Sequence, residues 1–294
     1  MFKTSSRSLE FLTFHVELEA AAPVHPNKTM KHAEYMSMID MMFTSAGFFH
    51  SQCVFTVLTD QVTNFNGSRK ISRLIRNSMD PSRLMLERTK SQLKYIISND
   101  FSRPIVVLDS DILINRSLLP VISDDYDVAL TWRASKRMPI NGGFLILNNA
   151  RPEVTKKFFE RFASIYEDKY LDASDWFGDQ LALRDCVGLG LSKYSSRIVV
   201  DNEGCRIRLL PCETHNFSPD NQFSQIGTPL PDKFVLHFKG ERKRLMKPFW
   251  TAWLRPGQSL SPAAQFAGWR ERRWLRHQAA FESGNLAEVK REDV

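Results

Sequence analysis

The chain alternates short apolar runs with longer segments in which apolar residues recur every three or four positions. The short runs are almost continuously apolar, which is typical of strands that are buried on both faces of a sheet. The longer segments have the periodicity of amphipathic helices. Strands and helices that alternate in this way predict an α/β domain with a mainly parallel mixed sheet, flanked by helices on both sides.

The apolar pattern places each predicted element and, through the strand ends, a candidate site. Strands are expected at 10–17, 53–60, 103–114, 126–132, 140–149, 205–219 and 233–240, and helices at 31–47, 81–100, 152–170 and 175–188. In such sheets, ligands bind beyond the carboxyl ends of the strands. Asp60, Asp109 with Asp111, and His237 with Gly240 follow three of these ends. We therefore expect them to meet at one edge of the sheet.

An aspartate pair interrupts the apolar run IVVLDSDILI at 105–114. In an extended chain Asp109 and Asp111 point to the same side, where two like charges raise each other's pKa. Buried charges are costly unless a partner compensates them. A divalent cation such as Mn²⁺ or Mg²⁺ would do so, because hard cations prefer carboxylate oxygens. The alternative is a strand-end turn in which both aspartates accept hydrogen bonds from backbone amides.

The net charge narrows the possible partners. The 294-residue chain carries a formal charge of +7, which indicates an anionic partner such as a phosphorylated substrate, a membrane surface or a nucleic acid. Zinc-finger spacing and RNA-binding aromatic motifs are absent from the sequence, so we do not expect a nucleic-acid partner. The four cysteines are scattered and are expected to be reduced thiols. No apolar run reaches the roughly 20 residues of a membrane span, and we expect a cytoplasmic protein.

Four segments, in this order, resemble the GT-A fold glycosyltransferases, and in particular the retaining, family-8-like enzymes that use nucleotide-diphospho-sugars. VVLDSDILI (106–114) matches the family's DxD strand, and NGGFLILN (141–148) matches its Asn-Ala/Ser-Gly segment. WFGDQLAL (176–183) matches its Asp-Gln helix start, and LHFKGERK (236–243) matches its late His-Phe-x-Gly-x-x-Lys segment. The resemblance implies a GT-A (Rossmann-like) domain over residues 1–245. From about Lys243 the composition becomes rich in Trp, Arg and Lys, which indicates a basic, Trp-rich C-terminal appendage at 246–294.

The resemblance also implies a metal site. Asp109 would contact the donor ribose or the metal, Asp111 would ligate the metal, and His237 would be the third protein ligand, with Ser110 beside the nucleotide. Diphosphate oxygens of the donor would complete the octahedron around Mn²⁺ or Mg²⁺. On this interpretation a metal and a diphosphate, rather than a protein cation, compensate the two carboxylates.

Basic residues in the matching segments would hold the donor phosphates. The resemblance implies that Lys243 reaches them and that Gly240 lets the backbone approach closely. A solvated basic turn is the alternative for this segment. Arg88, on the helix before the DxD segment, matches a basic family position that touches the donor, and Lys90 is the alternative because the sequence does not fix the spacing.

Residues of the second and third matching segments would contact the transferred sugar. The resemblance implies that Asn141 bonds the donor sugar, with Gly142 keeping its surroundings open, and that Asp179 and Gln180 lie beside the anomeric carbon. A turn before a strand would explain the glycine equally well. A helix N-terminus, where a carboxylate stabilises the dipole, is the alternative for Asp179.

Taken together, these segments imply transfer of a hexose from a nucleotide sugar, most simply a UDP-sugar, to a glycan or glycolipid hydroxyl with retention of configuration. The sequence leaves open whether Asp179 is a nucleophile or the leaving phosphate takes the acceptor proton. A haloacid-dehalogenase-like phosphohydrolase is one alternative function, although in that family DxD usually lies near the N-terminus. A non-catalytic sugar- or nucleotide-binding module of the same fold is the other.

The C-terminal segment raises a separate question. WRERRWLRH at 269–277 mixes tryptophans with arginines, which suits the anionic inner face of a membrane. A helix that packs its tryptophans on the domain and keeps its arginines solvated is an equally good interpretation.

Overall fold

A computed structural model of the chain describes residues 8–17, 32–66, 68, 70–135, 137–171, 177–188, 198–201, 203–257 and 261–284. The strands are β1 (Leu9–Phe14), β2 (Cys53–Thr59), β3 (Arg73–Arg76), β4 (Ile105–Leu108), β5 (Ile112–Ile114), β6 (Val128–Trp132), β7 (Ile140–Leu147), β8 (Ile198–Val200), β9 (Arg206–Pro211) and β10 (Val235–His237). The helices are α1 (His32–Phe49), α2 (Leu84–Ser98), α3 (Pro152–Tyr170), α4 (Gly178–Val187), α5 (Cys212–His215), α6 (Lys243–Phe249), α7 (Arg255–Gly257) and α8 (Pro262–Glu282).

Eight strands form one mixed sheet in the order β3-β2-β1-β4-β7-β6-β9-β8. Neighbours from β3 to β4 are parallel, and β6 is parallel to β9. β7 runs antiparallel to both of its neighbours, and β8 is antiparallel to β9. The predicted α/β architecture with a mainly parallel mixed sheet is therefore confirmed.

Hydrophobic clusters cover both faces of this sheet. Val106 and Leu108 of β4 belong to the cluster that α1 and α6 cover, whereas Ile105 and Val107 belong to the cluster under α2, α3 and α4. All four side chains are buried. Successive residues of a strand point to opposite faces, so a strand with helices on both sides must be apolar at every position. This explains the continuous apolar runs of the sequence.

The prediction of one strand over 103–114 is wrong. β4 ends at Leu108, a turn includes the aspartates, and the chain re-enters extended structure at Ile112 as β5. β5 leaves the large sheet and pairs with β10 in a separate two-stranded antiparallel sheet, with Ile112 opposite His237. The apolar pattern continues through this break because both short strands are buried, so periodicity did not reveal it.

Other boundaries also differ from the predictions. The predicted strand at 205–219 ends at Pro211, where α5 begins. The short strands β3 and β8 were not predicted, because runs of four and three residues with mostly exposed side chains are too short to show a strand period. The remaining predicted strands and helices are present among the described residues, with ends that differ by a few residues. The predicted helix starts at residues 31 and 175 lie outside the described residues.

The chain after residue 245 packs on the sheet domain as far as the structure describes it. Phe249, Trp250 and Leu254 belong to the same core cluster as β1, and Leu275 of α8 joins them. A π-helical turn, Trp250–Leu254, connects α6 to α7 shortly after Pro248. A proline inside a helix removes a backbone donor, and such irregular turns accommodate the loss. No helix among the described residues combines the length and the apolar character needed to cross a membrane.

Candidate functional site

Two carboxylates and one imidazole meet beyond the carboxyl end of β4. Pairing of β5 with β10 places His237 next to the turn that carries Asp109 and Asp111. His237 Nε2 lies 3.0 Å from Asp111 Oδ1 and 3.5 Å from Asp109 Oδ2. One potential ligand atom of each residue lies within 4.8 Å of the other two, and no second group of this kind occurs among the described residues. The three residues form what we call the DDH cluster.

The DDH cluster has the composition of a divalent metal site. Burial, helped by the nearby Lys239, lowers the pKa of His237, so the imidazole is neutral at pH 7. His237 Nδ1 contacts Asn216 Oδ1 at 2.8 Å, which leaves Nε2 on the side of the two carboxylates. Two carboxylates and a neutral imidazole nitrogen are ligands that Mn²⁺ and related divalent ions accept. The residues present therefore fit a divalent cation.

Protein cations also pair with the two carboxylates, contrary to the sequence-based expectation. Arg88 Nη1 lies 2.8 Å from Asp109 Oδ1, and Arg88 Nη2 lies 2.5 Å from Asp179 Oδ2. Lys243 Nζ lies 3.1 Å from Asp111 Oδ2. The expectation that no protein cation compensates the pair is therefore wrong. The sequence did not show that α2 and the turn after β10 both reach this edge.

Charge balance at the cluster is incomplete all the same. Among the described residues, the three carboxylates of Asp109, Asp111 and Asp179 form ion pairs with two cations, Arg88 and Lys243, while Lys239 acts on Asp109 and Asp111 from a greater distance. Burial would raise the pKa of Asp111, but His237 and Lys243 outweigh it and the pKa is lowered. Burial raises the pKa of Asp179 despite its ion pair with Arg88. Among the described residues, Asp179 Oδ1 is buried and has no hydrogen-bond partner.

Two glycines of β7 make room for these side chains. A Cβ atom on Gly143 would lie 2.3 Å from His237 Cε1 and 2.8 Å from Asp109 Oδ2. A Cβ atom on Gly142 would lie 2.8 Å from Asp179 Oδ2. Any larger residue at either position would displace a member of the site, so the space that the two glycines leave open is a condition of its geometry.

The structure brings most of the remaining predicted residues to the same edge. Asn141 Oδ1 accepts hydrogen bonds from Gly143 N and from Asn216 Nδ2. Gln180 Oε1 accepts a 3.4 Å hydrogen bond from Arg133 Nη2. Gly240 has a φ of +57°, a left-handed conformation that favours glycine, and begins the turn after β10.

Three predicted positions stand apart from these contacts. The Ser110 hydroxyl forms no hydrogen bond within the part of the chain that the structure describes, although its neighbours belong to the cluster. Lys90, the alternative to Arg88, pairs with Glu167 on an exposed surface. The Asp60 side chain accepts hydrogen bonds from the amides of Val62 and Thr63 and stabilises the turn after β2. Asp60 thus lies at the carboxyl end of its strand but is not among the DDH ligands.

Sequence reasoning missed Asn216 and Thr131, which contact the predicted residues. Asn216 is 2% exposed and bonds both His237 and Asn141. It lies in the segment that was predicted as one long strand, where no local pattern distinguishes it. Its position depends on α5 and on the bridge between Phe217 and Leu236, both of which are tertiary features.

Comparison with known proteins gives matches among solved structures only. No protein-family model matches the chain, and neither does any curated protein. The galactosyltransferase LgtC, solved in complex with donor and acceptor sugar analogues, is 12% identical with a TM-score of 0.49, covering 88% of this chain and 99% of LgtC. The apo-form glycosyltransferase GlyE of Streptococcus pneumoniae TIGR4 is 14% identical with a TM-score of 0.47, covering 96% of this chain and 64% of GlyE. A glycosyltransferase involved in glycosylation of the major capsid of PBCV-1 is 12% identical with a TM-score of 0.47, covering 81% of this chain and 98% of its own.

Proposed function

We propose that the protein is a metal-dependent glycosyltransferase that moves a hexose from a UDP-sugar to a glycan or glycolipid hydroxyl with retention of configuration. The observation that carries the proposal is the DDH cluster, whose potential ligand atoms lie within 4.8 Å of one another. Its members come from two segments, far apart in the sequence, that both resemble GT-A transferases. A metal site at the carboxyl edge of an α/β sheet is where such a donor would bind.

In this proposal Asp109, Asp111 and His237 would hold Mn²⁺ or Mg²⁺, which would supply positive charge for the leaving diphosphate. Lys243 has a second task. Its ammonium group has three donors, and the contact with Asp111 Oδ2 uses one of them. The other two are available to phosphate oxygens. Gly240, whose φ of +57° is left-handed, begins the turn that connects His237 to Lys243.

Asn141 and Asp179 are the groups that we assign to the transferred sugar. Asn141 Oδ1 is occupied by two internal donors, whereas its Nδ2 has no acceptor among the described residues. That nitrogen can therefore donate to a sugar hydroxyl. Asp179 Oδ2 is held by Arg88, and Oδ1 has no partner in the described part of the chain. Gln180 lies next in sequence and is oriented by Arg133.

Asp179 serves in one of two ways in this proposal. It either attacks the anomeric carbon as a nucleophile or stabilises positive charge on the sugar ring while the acceptor attacks from the side of the departing phosphate. In both cases most of the rate enhancement comes from positioning and from electrostatic stabilisation of the leaving group.

The place of the aspartate pair in the fold favours a transferase over the phosphohydrolase alternative. In dehalogenase-type enzymes the DxD pair usually lies near the N-terminus. Here Asp109 and Asp111 follow β4, after two helices and three other strands. This position agrees with the DxD strand of the GT-A transferases that the sequence resembles.

Calorimetry of UDP binding tests the proposal. Wild-type protein is titrated with UDP in the presence of Mn²⁺ and again with EDTA, next to Asp111→Asn and to the control Asp100→Asn. Asp100 is exposed and precedes the same strand at its other end. We expect wild-type protein to bind UDP only with metal. Asp111→Asn should lose this binding, and Asp100→Asn should bind UDP as wild type does. Metal-independent binding would refute the ligand assignment, and absence of binding in every condition would refute UDP as the nucleotide.

A screen of UDP-sugars for UDP release would then identify the donor. The anomeric configuration of the product, read by NMR from the coupling constant of the new glycosidic bond, tests retention. An inverted product would contradict the retaining mechanism while leaving the metal site intact.

We also propose that residues 1–245 are the transferase domain and that residues 246–294 are its appendage. In this proposal the protein is cytoplasmic, and α8 of the appendage rests on the anionic inner face of a membrane. One face of α8 is buried through Ala264, Gly268 and Leu275. The opposite face exposes Phe266, Trp269 and Phe281, whose exposed fractions are 61%, 50% and 69%. Arginines interleave with these aromatics, a pattern typical of interfacial helices.

Vesicle co-sedimentation tests the membrane proposal. Substituting Phe266, Trp269 and Phe281 by serine should abolish binding to vesicles rich in anionic lipid, because apolar insertion is lost while the positive charge remains. Ile97→Ser, which removes an exposed apolar side chain from α2, is the matched control and should bind normally. Equal sedimentation of the triple variant and wild type would contradict the proposal.

A further inference from the structure

A chain of hydrogen bonds with a fixed direction leads from the backbone of β7 to His237. The amide of Gly143 donates to Asn141 Oδ1 at 3.0 Å, so that atom is an acceptor. The Thr131 hydroxyl donates to the backbone carbonyl of Asn141 at 3.0 Å, so its oxygen is free to accept. The side-chain atom of Asn216 that lies 2.9 Å from both acceptors must therefore be the donor, Nδ2.

The orientation of Asn216 in turn decides the tautomer of His237. With Nδ2 directed at Thr131 and Asn141, the amide oxygen Oδ1 faces His237 Nδ1 at 2.8 Å. An amide oxygen can only accept, so the proton of the neutral imidazole is on Nδ1. Nε2 is then unprotonated, and its lone pair is directed at Asp111 Oδ1 and Asp109 Oδ2.

We infer that Asn216 is a positioning residue that selects the Nδ1–H tautomer of His237 and thereby keeps Nε2 available as a metal ligand. The inference rests on the metal site of the proposed function. The network is sealed from solvent: Thr131, Asn216, His237 and Asn141 are all at most 5% exposed. Turning the Asn216 amide over would place its oxygen against Asn141 Oδ1, which is itself an acceptor, in a buried site where an unsatisfied contact is costly.

The selection matters because the opposite tautomer has a partner of its own. A proton on Nε2 would donate to Asp111 Oδ1, which is only 3.0 Å away. That hydrogen bond would satisfy both groups and leave no lone pair for a cation. Asn216 thus disfavours the form in which His237 Nε2 donates to Asp111 Oδ1, which the DDH cluster would otherwise adopt. Partners of this kind fix the tautomer of metal-binding histidines in many proteins.

Mn²⁺ binding without nucleotide is the first test. We expect Asn216→Ala to bind Mn²⁺ about 10- to 100-fold more weakly than wild type in calorimetry. The matched control is Asn148→Ala. Asn148 is also a fully buried amide that bridges backbone carbonyls, those of Ser123 and Tyr126, but it follows the other end of β7. Its loss should lower thermal stability to a similar extent and leave Mn²⁺ affinity unchanged.

Imidazole NMR is the second test and needs no metal. Long-range ¹H–¹⁵N spectra of the metal-free wild type, recorded at a pH at which the imidazole is neutral, should show His237, assigned by its absence from His237→Gln, with Nδ1 protonated and Nε2 unprotonated. Thr131→Val, which removes one acceptor of Asn216 and keeps the amide, should admit a fraction of the Nε2–H form. It provides the comparison if Asn216→Ala does not fold.

The outcomes separate the inference from the proposed function. Wild-type protein that fails to bind Mn²⁺ would refute the metal site. Wild-type binding with an unaffected Asn216→Ala would refute the positioning role alone, as would a wild-type spectrum with the proton of His237 on Nε2. Weaker Mn²⁺ binding in Asn216→Ala together with an unchanged Asn148→Ala supports the inference.

Discussion

Asp127 and the carboxylates of the DDH cluster lie at opposite edges of the same sheet. They differ in how completely neighbouring groups compensate their charge. Asp127 precedes β6 and is 0% exposed. Its Oδ1 accepts hydrogen bonds from Arg151 Nε at 2.8 Å and Arg206 Nη2 at 2.9 Å, and its Oδ2 accepts from the amide of Arg206 at 2.8 Å. One carboxylate therefore has two guanidinium partners and a backbone donor, with no lone pair directed at empty space.

At the DDH cluster, in contrast, carboxylates outnumber the cations with which they form ion pairs. Arg88 and Lys243 are shared among three carboxylates, and the neighbouring imidazole is neutral and directs its Nε2 at two of them. Asp179 Oδ1 has no partner among the described residues. Asp127 thus shows that a fold can satisfy a buried carboxylate completely when only stability is at stake. Incomplete compensation, in contrast, marks where a cation or substrate is expected.

The largest effect should come from the DDH cluster. Asp111→Asn removes a charged ligand but keeps the shape of the side chain, so we expect turnover to fall by at least about 100-fold. The rate of UDP release at saturating Mn²⁺ measures the change, and urea denaturation run in parallel checks that the variant is folded under the assay conditions. Turnover near the wild-type value would contradict the assignment of Asp111 as a ligand.

The second largest effect is expected on stability, from a substitution of Asp127 at the edge opposite the DDH cluster. Asp127→Asn leaves two partly exposed guanidinium groups, those of Arg151 and Arg206, without their buried anion, so we expect the free energy of unfolding to fall by about 2 kcal/mol at pH 7. Urea denaturation measures this loss. Mn²⁺ affinity serves as the control and should not change. A loss of metal binding in a folded variant would show that the two edges are coupled.

The pH dependence of stability sharpens the comparison further. Burial would raise the pKa of Asp127, but Arg151 and Arg206 outweigh it and lower the pKa from 3.8 to about 2. A lowered pKa stabilises the fold above pH 4, where the unfolded carboxyl is also ionised. That contribution, roughly 2 kcal/mol, is lost as the pH falls from about 4 through about 2. The difference in unfolding free energy between wild type and Asp127→Asn should shrink across this window, and a constant difference would contradict the pairing.

The smallest effect compares two left-handed glycines. Gly240 follows His237, the proposed metal ligand, and Gly188 follows α4, with φ angles of +57° and +66°. An added Cβ meets no atom within 4 Å at either position, so only the backbone conformation is penalised. Alanine at either site should lower stability by about 1 kcal/mol. Only Gly240→Ala should also weaken UDP binding, and equal UDP affinity in the two variants would show that Gly240 has no role at the site.

Much of the fold followed from local patterns. β2, β6, β7, α2 and α3 were predicted close to their observed bounds because each buries a continuous or strictly periodic apolar surface. The exposed strands β3 and β8 were missed because edge strands bury too little to leave a pattern. The break between β4 and β5 was missed for the opposite reason, since both sides of the turn are apolar.

For the site, the sequence by itself determined the ligand types and their order along the chain: two aspartates after one strand and a histidine after another. The tertiary structure decided which groups surround them. Arg88 and Lys243 pair with the aspartates, and Asn216 reaches Nδ1 of His237, because α2, β5–β10 pairing and the segment after α5 converge on one edge. Hydrogen bonds and ion pairs act over about 3 Å between residues that are distant in sequence, and local composition carries no record of that proximity.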